Sequence, residues 1–526
     1  MTQYLGIDSS TQSLSATIID TEAGAVIAEA SINFGEALSK YQSPSGFLPN
    51  ADATVKQSNP LMWVEALDLL FADLRERGAD LSRVRGVSGA GQQHGSVYLA
   101  RALASVGKWD PGKSLVDQVR PLLSRPVSPI WMDSSTTAEC RELAAALGSD
   151  EQMVKVTGSR AIERFTAAQI RKFAKQEPAA WARTQEVHLV SSFLASLLIA
   201  DTAPIDLGDG AGMNLLDLAS GRWSPELLEA TADGLRGKLA DPVPSTSRVG
   251  TLAQYFIDRF GFSAGTPVIA FTGDNPSSLV GMGATQPGTA VISLGTSDTV
   301  FAAMSEPRTD PNGFGHVFGN PAGGFMSLIC FANGSLAREA VARQFSLDWE
   351  QFERAIIEET TPGNGGNMML PYFVPEMTPR ICAAGPRYFG TSAFVEQKDA
   401  RGAARAIVEA QAVSMRLFSG WIGEAPTRIL VTGGASKNRG ILRVLADVFQ
   451  AEIVPLVVSN SAALGAAVRA AQATEGVSFE QLASTFSAPD EARSVAPSSA
   501  TRGVYEDMAA SFEARLNALR AVETGS

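Results

Sequence analysis

The chain has 526 residues, more than one hydrophobic core can serve, because single cores stop growing at about 250–300 residues. Hydrophobic residues make up 45% of the chain and charged residues 19%, which excludes a disordered or low-complexity protein. The formal net charge is −12 and no block of Lys or Arg stands out, which argues against nucleic acids and anionic membranes as partners.

Cysteine and histidine are too few for the common metal sites and disulfide frameworks. The three cysteines are scattered and show no CxxC spacing, and three histidines are too few for multi-histidine centres. The N-terminus enters a strand-like segment without the basic and apolar regions of a signal peptide. The longest apolar stretch, at about 190–200, is too short to span a bilayer. We therefore expect a cytoplasmic protein without a membrane segment.

Taken in chain order, the predicted elements form a pattern that occurs twice. The segment YLGIDSSTQSLSATIID at 4–20 predicts two strands joined by a polar turn, and TAVISLGTSDTVFAAM at 289–304 has the same layout. In each half a second strand runs into a turn of small residues, at 84–96 and at 428–440. This repeated order indicates two related α/β domains.

Amphipathic helices alternate with the strands, which predicts mixed or parallel sheets flanked by helices. Apolar residues at helical spacing predict helices at 61–78, 434–452, 462–473 and 504–522. The segment 238–267 is rich in Pro, Ser and Gly around one short helix. We place the boundary there, which divides the chain into domains of 1–265 and 266–526.

One phosphate-binding pattern is a false lead. GKWDPGKS at 107–114 satisfies the Walker A pattern G-x4-G-K-S. A P-loop needs a buried strand before the first glycine and a long helix after the serine, whereas Pro121 interrupts the segment that comes after Ser114. We predict a solvated loop.

The first polar turn carries a carboxylate among several donors. Asp8 ends a predicted strand, and Ser9, Ser10, Thr11 and Gln12 follow it. Such donors can hold phosphate oxygens while the carboxylate orients a metal through water. The alternative is a turn that satisfies only its own backbone.

Two further turns come from the second half of the chain. Gly295, Thr296 and Ser297 repeat the first turn, so the two turns can face each other across a cleft. The segment 432–436, TGGAS, lies between a strand and a helix, where small residues let a planar ligand approach the backbone. A close strand-to-helix turn without a ligand is the alternative for the last of these.

Asp274 is the candidate general base. The strand TPVIAFTG ends at Gly273, and Asp274, Asn275 and Pro276 then open a helix. A carboxylate fixed at such a point is within reach of a substrate and can accept a hydroxyl proton. The alternative is a helix N-cap, which Asp also serves well.

Three more polar residues are candidates with a structural alternative each. His94, in GAGQQHG, can bind substrate hydroxyls or only stabilise a turn. Asp133, in PIWMDSSTT, can instead cap a helix that runs through Cys140. Arg164 lies in RAIERFTAAQIRKF, which is predicted as a helix, where Arg is ordinarily a solvated residue.

Together these segments resemble the FGGY carbohydrate kinases, of the superfamily of actin, hexokinase and heat-shock chaperone ATPases. GIDSSTQ resembles the first phosphate motif of the family, SLGTSDT the second and ILVTGGASKN the adenosine motif. SGAGQQHGS, PIWMDSSTTAEC, TGSRAIERFT and FTGDNPSSL, with the overall length, are most similar to the family members that phosphorylate D-xylulose. The resemblance covers nearly the whole chain and implies two actin-like (ribonuclease H-like) α/β domains with a cleft between them.

Carried over by position, the resemblance implies ATP-dependent phosphorylation of D-xylulose, with Asp274 as the general base and Asp8 organising Mg²⁺. The implied sugar pocket consists of Gln93, His94, Asp133, Arg164, Asp274 and Asn275. The implied nucleotide contacts are Ser10, Thr11, Gln12, Gly295, Thr296 and Ser297 on the phosphates, Gly433, Gly434 and Asn438 on adenosine, and Trp349 near the nucleotide.

Two alternatives stay open at this point. Family members that act on other sugars share the ATP motifs, so the substrate can be another ketose or a polyol such as ribulose, fuculose or glycerol. A noncatalytic actin-like ATPase that serves as a scaffold or sugar sensor is the alternative of a different class. A homodimer is left open, because nothing in the sequence determines the oligomeric state.

Overall fold

The fold was analysed in a computed structural model, which describes residues 2–423, 425–458 and 460–524. None of the helices in these ranges is both long and apolar enough to cross a membrane.

The strands of the described chain range from two-residue bridges to nine-residue strands. They are β1 Gln3–Ser9, β2 Ser13–Asp20, β3 Ala25–Asn33, β4 Gln57–Ser58, β5 Val84–Gly91, β6 Ser96–Leu99, β7 Ser128–Pro129, β8 Glu186–Leu189, β9 Leu216–Asp217, β10 Arg222–Trp223, β11 Arg248–Thr251, β12 Pro267–Ile269, β13 Thr272–Gly273, β14 Thr289–Leu294, β15 Asp298–Met304, β16 His316–Gly319, β17 Phe325–Phe331, β18 Met368–Leu370, β19 Arg387–Phe389, β20 Arg428–Thr432 and β21 Glu452–Pro455.

The α-helices alternate with these strands. They are α1 Phe34–Ala37, α2 Pro60–Glu76, α3 Leu115–Val119, α4 Thr137–Leu147, α5 Asp150–Thr157, α6 Thr166–Gln176, α7 Pro178–Arg183, α8 Val190–Ile199, α9 Leu207–Gly210, α10 Pro225–Thr231, α11 Gln254–Phe260, α12 Asp274–Gly281, α13 Ser335–Gln344, α14 Trp349–Arg354, α15 Ser392–Val395, α16 Ala400–Ser419, α17 Arg439–Phe449, α18 Ser461–Glu475, α19 Phe479–Phe486 and α20 Arg502–Thr524.

Two large sheets organise the molecule. The first has the order β11-β12-β5-β1-β2-β3, with β13 also paired to β5, and the second has the order β16-β17-β15-β14-β20-β21. In the first sheet β1 is antiparallel to β2 and parallel to β5, and β12 is parallel to β5. In the second sheet β14 is antiparallel to β15 and parallel to β20, and β21 is parallel to β20. The duplication predicted from the sequence is therefore present in strand order and strand sense.

Both faces of strand β1 are covered, and all seven of its residues are buried. Leu5 and Ile7 pack in the core that contains helix α2, whereas Tyr4 packs against α18 on the opposite face. Because successive side chains point to opposite faces of a strand, a strand covered on both sides is apolar through its middle. Asp8, near the end of β1, is a buried carboxyl group that interrupts this pattern.

Helices α12 and α18 pack closely between the two halves of the chain. A Cβ atom at Gly281 would lie 1.9 Å from the Ser461 carbonyl oxygen, and one at Gly465 would lie 1.9 Å from the Ser277 carbonyl oxygen. Only glycine permits backbones to approach this closely. Helix α18 follows the last strand of the second sheet along the chain. It nevertheless packs on the first sheet, against Tyr4 of β1.

The predicted domain boundary between residues 265 and 266 precedes two strands of the first sheet. Val268 of β12 pairs with β5, and Thr272 and Gly273 of β13 also pair with β5. We propose that the first domain extends through these strands and into α12.

The predicted helix at 434–452 is shorter in the structure. Residues 434–437 form a single 3-10 turn, and α17 begins only at Arg439, because the Asn438 side chain accepts a hydrogen bond from Ile441 N and caps the helix. The prediction for 107–114 is confirmed, since that segment is a loop followed by the five-residue helix α3.

Candidate active site

The candidate residues of the first half gather at one edge of the first sheet. In the parallel pairing of β1 with β5, Asp8 lies opposite Ala90, and in the pairing of β13 with β5, Gly273 lies opposite Gly91. The carboxyl ends of these three strands thus lie side by side. Asp8, the segment after β5 and the start of α12 consequently meet at this edge, where ligands of open α/β sheets bind.

Asp274 is the first residue of α12, and the N-cap position is occupied by Gly273. The N-cap alternative for Asp274 is therefore wrong. Its Oδ1 accepts hydrogen bonds from Asn275 N at 2.8 Å and from Asn275 Nδ2 at 3.0 Å. Burial raises the pKa of Asp274 to about 6, against the opposing effect of backbone N–H donors. The hydrogen bonds from Asn275 both go to Oδ1, so Oδ2 retains acceptor capacity for a substrate hydroxyl.

Gln93 connects the segment after β5 with Asn275. Gln93 Oε1 accepts a hydrogen bond from Asn275 Nδ2 at 2.9 Å, and Gln93 is 3% exposed. Because Asn275 Nδ2 donates to both Gln93 and Asp274, the Oδ1 atom of Asn275 is available to accept from a ligand hydroxyl.

His94 is held in one tautomer by its neighbours. The His94 Nδ1 atom lies 2.7 Å from the Gly212 carbonyl oxygen, which can only accept, so Nδ1 carries the proton and Nε2 is an acceptor. The ring stacks on Phe165 at 4.1 Å between centroids. Burial, and then the positive charge of Arg164, hold the pKa of His94 well below its usual value, so the ring is neutral.

Both oxygens of the Asp133 carboxylate accept hydrogen bonds from protein donors, and Oδ2 retains acceptor capacity. Its Oδ2 accepts from Lys56 N at 2.9 Å, and its Oδ1 accepts from Gln169 Nε2 at 2.9 Å and from Ser135 N at 3.0 Å. Helix α4, which contains Cys140, is preceded by Thr136 at its N-cap position, so the alternative in which Asp133 caps this helix is wrong.

Arg164 is not on a helix, contrary to the prediction. Helix α6 begins at Thr166, and Arg164 lies in the turn before it, where Phe165 N closes the turn on the Ile162 carbonyl oxygen. Arg164 lines a cavity of about 590 Å³ together with His316 and Cys330 of the second sheet. Burial, and then the positive charge of Arg164, lower the pKa values of both His94 and His316.

Asp8 lies in a site that suits a cation. It is 8% exposed, and its Oδ1 atom is buried without a hydrogen-bond partner among the described residues. Burial, and then repulsion from Asp274, raise the pKa of Asp8 to about 8. Mg²⁺ typically takes one or two carboxylates together with phosphate and water oxygens. The residues therefore fit a Mg²⁺ ion that is completed by a nucleotide.

The first polar turn follows Asp8 directly. Ser10 N donates to the Ser13 carbonyl oxygen at 2.9 Å and closes the turn. Thr11 Oγ1 accepts from Trp131 Nε1 at 2.8 Å, which fixes the hydroxyl at the tip of the turn. Gln12 is exposed.

The second polar turn joins β14 to β15. Thr296 and Ser297 are exposed, and the Gly295 carbonyl oxygen accepts from Ser335 N at 2.9 Å. Directly behind this turn, Arg338 forms a two-pronged ion pair with Asp298, at 2.7 Å and 2.9 Å, and both side chains are 1% exposed. A buried ion pair thus anchors the second polar turn.

The third polar turn leads from β20 to α17, at the same edge of the second sheet. Gly433 and Gly434 are exposed, and a Cβ atom at Gly434 would meet nothing within 4 Å, so a flat ligand can approach the backbone there. Trp349, at the start of α14, is 50% exposed. Helix α14 lies next to this turn, because its Glu353 accepts a hydrogen bond from Arg439 N at 2.7 Å.

Sequence reasoning missed the residues that support this site from behind. Asp209 and Gly212, which follow α8 by about ten residues, contact Gln93 and His94, and Arg338 supports the second turn. In the sequence, supporting residues of this kind are recognisable only as charged side chains among apolar neighbours. That pattern does not identify the residues that they contact.

Family models match both halves of the chain. The model described as the N-terminal domain of the FGGY family of carbohydrate kinases matches residues 111–281, and that of the C-terminal domain matches residues 290–474. The xylulose kinase of Rattus norvegicus is 40% identical over 511 residues, which cover 95% of this chain and 94% of that protein. Xylulose kinase 2 of Arabidopsis thaliana is 39% identical and covers 89% of this chain and 86% of that protein.

Solved structures show the same fold. The xylulose kinase of Rhodospirillum rubrum superimposes with a TM-score of 0.84 at 21% identity and covers 99% of each chain. The glycerol kinase of Plasmodium falciparum with ADP gives a TM-score of 0.79 at 15% identity, with 99% of this chain and 98% of that chain covered.

Proposed function

The chain belongs to the FGGY family of carbohydrate kinases, and on that basis we propose that it transfers the γ-phosphoryl group of ATP to D-xylulose. The product is D-xylulose 5-phosphate. The choice of sugar rests on the xylulose kinases that are 40% identical over 95% of the chain.

The observation that carries the proposed chemistry is the geometry at the start of α12. Asn275 holds Oδ1 of Asp274 through its backbone and side-chain N–H groups, and burial raises the pKa of this carboxyl to about 6. A carboxylate with such a pKa is ionised at neutral pH and is a better base than an exposed aspartate. Asp274 accepts the proton of the sugar hydroxyl while that oxygen attacks the γ-phosphorus and ADP leaves.

The nucleotide is proposed to lie between the three polar turns. Ser10, Thr11 and Gln12 hold phosphate oxygens from one side, and Gly295, Thr296 and Ser297 hold them from the other. Gly433, Gly434 and Asn438 contact adenosine, with Trp349 nearby. Phosphoryl transfer depends on positioning and electrostatic stabilisation more than on covalent chemistry, so backbone and hydroxyl donors suffice.

We propose that the divalent metal is Mg²⁺ at Asp8, whose buried and unpartnered Oδ1 supports this choice. When bound with ATP, the ion neutralises phosphate charge.

The three cysteines are free, which supports a reducing compartment and hence the cytoplasm.

The neutral His94 is proposed to accept a hydrogen bond from a sugar hydroxyl through Nε2. Replacing His94 with Ala is expected to raise the KM for the sugar about fivefold, since one hydrogen bond contributes on the order of 1 kcal/mol. The KM for ATP stays unchanged, because His94 lies on the sugar side. Initial rates at varied sugar and varied ATP measure both constants.

His188→Ala is the matched control for this variant. His188 is also buried, at 2% exposed, but it pairs with Glu186, away from the cleft. An unchanged sugar KM in His94→Ala would assign His94 to the turn alone.

The experiment that tests the proposed function is ADP release with Mg-ATP against a panel of sugars. The panel contains D-xylulose, L-xylulose, D- and L-ribulose, fuculose, gluconate and glycerol, with a control without sugar. Preference for D-xylulose supports the proposal. Preference for another member overturns the substrate and keeps the kinase, whereas hydrolysis that does not depend on sugar favours an ATPase scaffold.

A further inference from the structure

A buried acid behind the sugar site is not used by the chemistry described above. Asp209 lies on the short helix α9 and is 0% exposed. Its Oδ2 accepts from Ser191 Oγ at 2.5 Å, and its Oδ1 is buried without a well-aligned partner among the described residues. A buried acceptor left unpaired destabilises a fold, so its retention calls for an explanation.

The complementary unpaired atom belongs to Gln93. Gln93 Nε2 is a buried donor that also lacks a well-aligned partner in the described part of the chain. Packing places the two side chains together, because Ser191, which donates to Asp209, packs on Gly91, and Gly212, three residues after Asp209, packs on Gln93. In agreement, burial and then Asp206 raise the pKa of Asp209, and Gln93 opposes this effect. Hydrogen bonds of unliganded sites are often loose and tighten when the ligand binds.

The Gln93 side chain is closely packed against two glycines. A Cβ atom at Gly273 would lie 2.5 Å from Gln93 Cγ, and one at Gly212 would lie 3.4 Å from Gln93 Nε2. The carboxamide thus lies between two glycines, and exchange of its oxygen and nitrogen positions needs no additional space. An ionised Asp209 only accepts hydrogen bonds, so in this form it favours the orientation that points Gln93 Nε2 at its Oδ1.

We propose that Asp209 is a positioning residue that fixes the orientation of the Gln93 carboxamide, and through it Asn275 and Asp274, for the phosphorylation of the sugar. With Nε2 bound to Asp209, the Oε1 of Gln93 must face Asn275 Nδ2, which then donates to Asp274 Oδ1. The reversed amide would set two N–H groups against each other and release Asn275. This inference rests on the proposed kinase function.

A reciprocal exchange of donor and acceptor tests the proposal. Gln93→Glu removes the donor and sets an acceptor against Asp209, and we expect kcat to fall by up to about 100-fold, as for other misplaced catalytic groups. Adding Asp209→Asn supplies a donor and restores most of the rate. Asp209→Asn alone keeps an acceptor oxygen and stays near the wild-type rate. The KM for ATP is unchanged throughout.

Ser191→Ala is the matched control, because it removes the other hydrogen bond of Asp209 without touching Gln93. It is expected to lower the melting temperature and to leave kcat unchanged. The proposal is overturned if Asp209→Asn does not rescue Gln93→Glu, or if Ser191→Ala lowers kcat as much as Gln93→Glu does. The assay uses whichever sugar the wild-type enzyme prefers, so a wrong substrate assignment shows in the wild type and a wrong role for Asp209 shows only in the variants.

Discussion

Asp274→Asn is expected to lower kcat for sugar phosphorylation by about 10²- to 10⁴-fold, the range that general base catalysis contributes. The amide keeps the size of the side chain and can still accept from Asn275 N through its oxygen, but it cannot take a proton. Nucleotide affinity, measured by titration with ADP, stays unchanged because the nucleotide turns are not altered. Turnover near the wild-type rate would refute the role of Asp274.

The same assignment predicts the acidic limb of the pH profile. The base must be ionised to accept a proton, and burial raises the pKa of Asp274 to about 6. The kcat/KM for the sugar therefore falls as the pH drops below about 6. A profile measured from about pH 5 to 8 checks this, and the limb is absent from the residual activity of Asp274→Asn.

Arg338→Met is expected to lower the free energy of unfolding by about 3–5 kcal/mol, the cost of leaving one partner of a buried ion pair alone. Arg338 also donates to Gln411 Oε1 at 2.7 Å and to Ser335 Oγ at 2.8 Å, so several acceptors lose their donor. Burial raises the pKa of Asp298 and Arg338 opposes this effect, so removal of Arg338 raises this pKa further. Urea denaturation measures the loss of stability.

The functional effect of this variant separates support of the turn from stability alone. Asp298 directly follows Ser297, and Ser335 N holds the Gly295 carbonyl oxygen, so the second polar turn loosens and the KM for ATP rises. In the double variant Arg338→Met with Asp298→Leu, stability is largely recovered because no buried charge remains. The KM for ATP stays high in the double variant if the ion pair positions the turn, and returns to the wild-type value if it does not.

The local features of the fold could be predicted from the sequence because neighbouring residues determine them. The apolar residues of strand β1 are followed by Asp8, which indicates the end of the strand. The polar residues from Ser10 to Gln12 predict the turn after it. The same reasoning places Asp274 after a strand and at the start of a helix, and the repeated order of hairpin and turn indicates two domains. For the same reason the loop at 107–114 could be distinguished from a P-loop.

Two predicted helices begin too early, because the helical spacing of apolar residues extends beyond the first residue of the observed helix. The apolar spacing from Arg160 to Phe173 predicts one helix, but α6 begins at Thr166 and Arg164 instead turns toward the second sheet. Likewise α17 starts at Arg439 because Asn438 caps it, although the helical pattern extends back to Gly434.

By itself the sequence determined the kind of fold, the strand ends that carry polar turns and the residues at those ends, because side-chain periodicity and turn chemistry act over a few residues. Only the tertiary structure decided which of these residues share a site and what holds them. Asp209 meets Gln93, and Arg469 of α18 donates to the Ala270 carbonyl oxygen, across separations of 116 and 199 residues. Such pairs depend on sheet register and helix packing, which arise from the burial of the whole core and leave no local pattern in the chain.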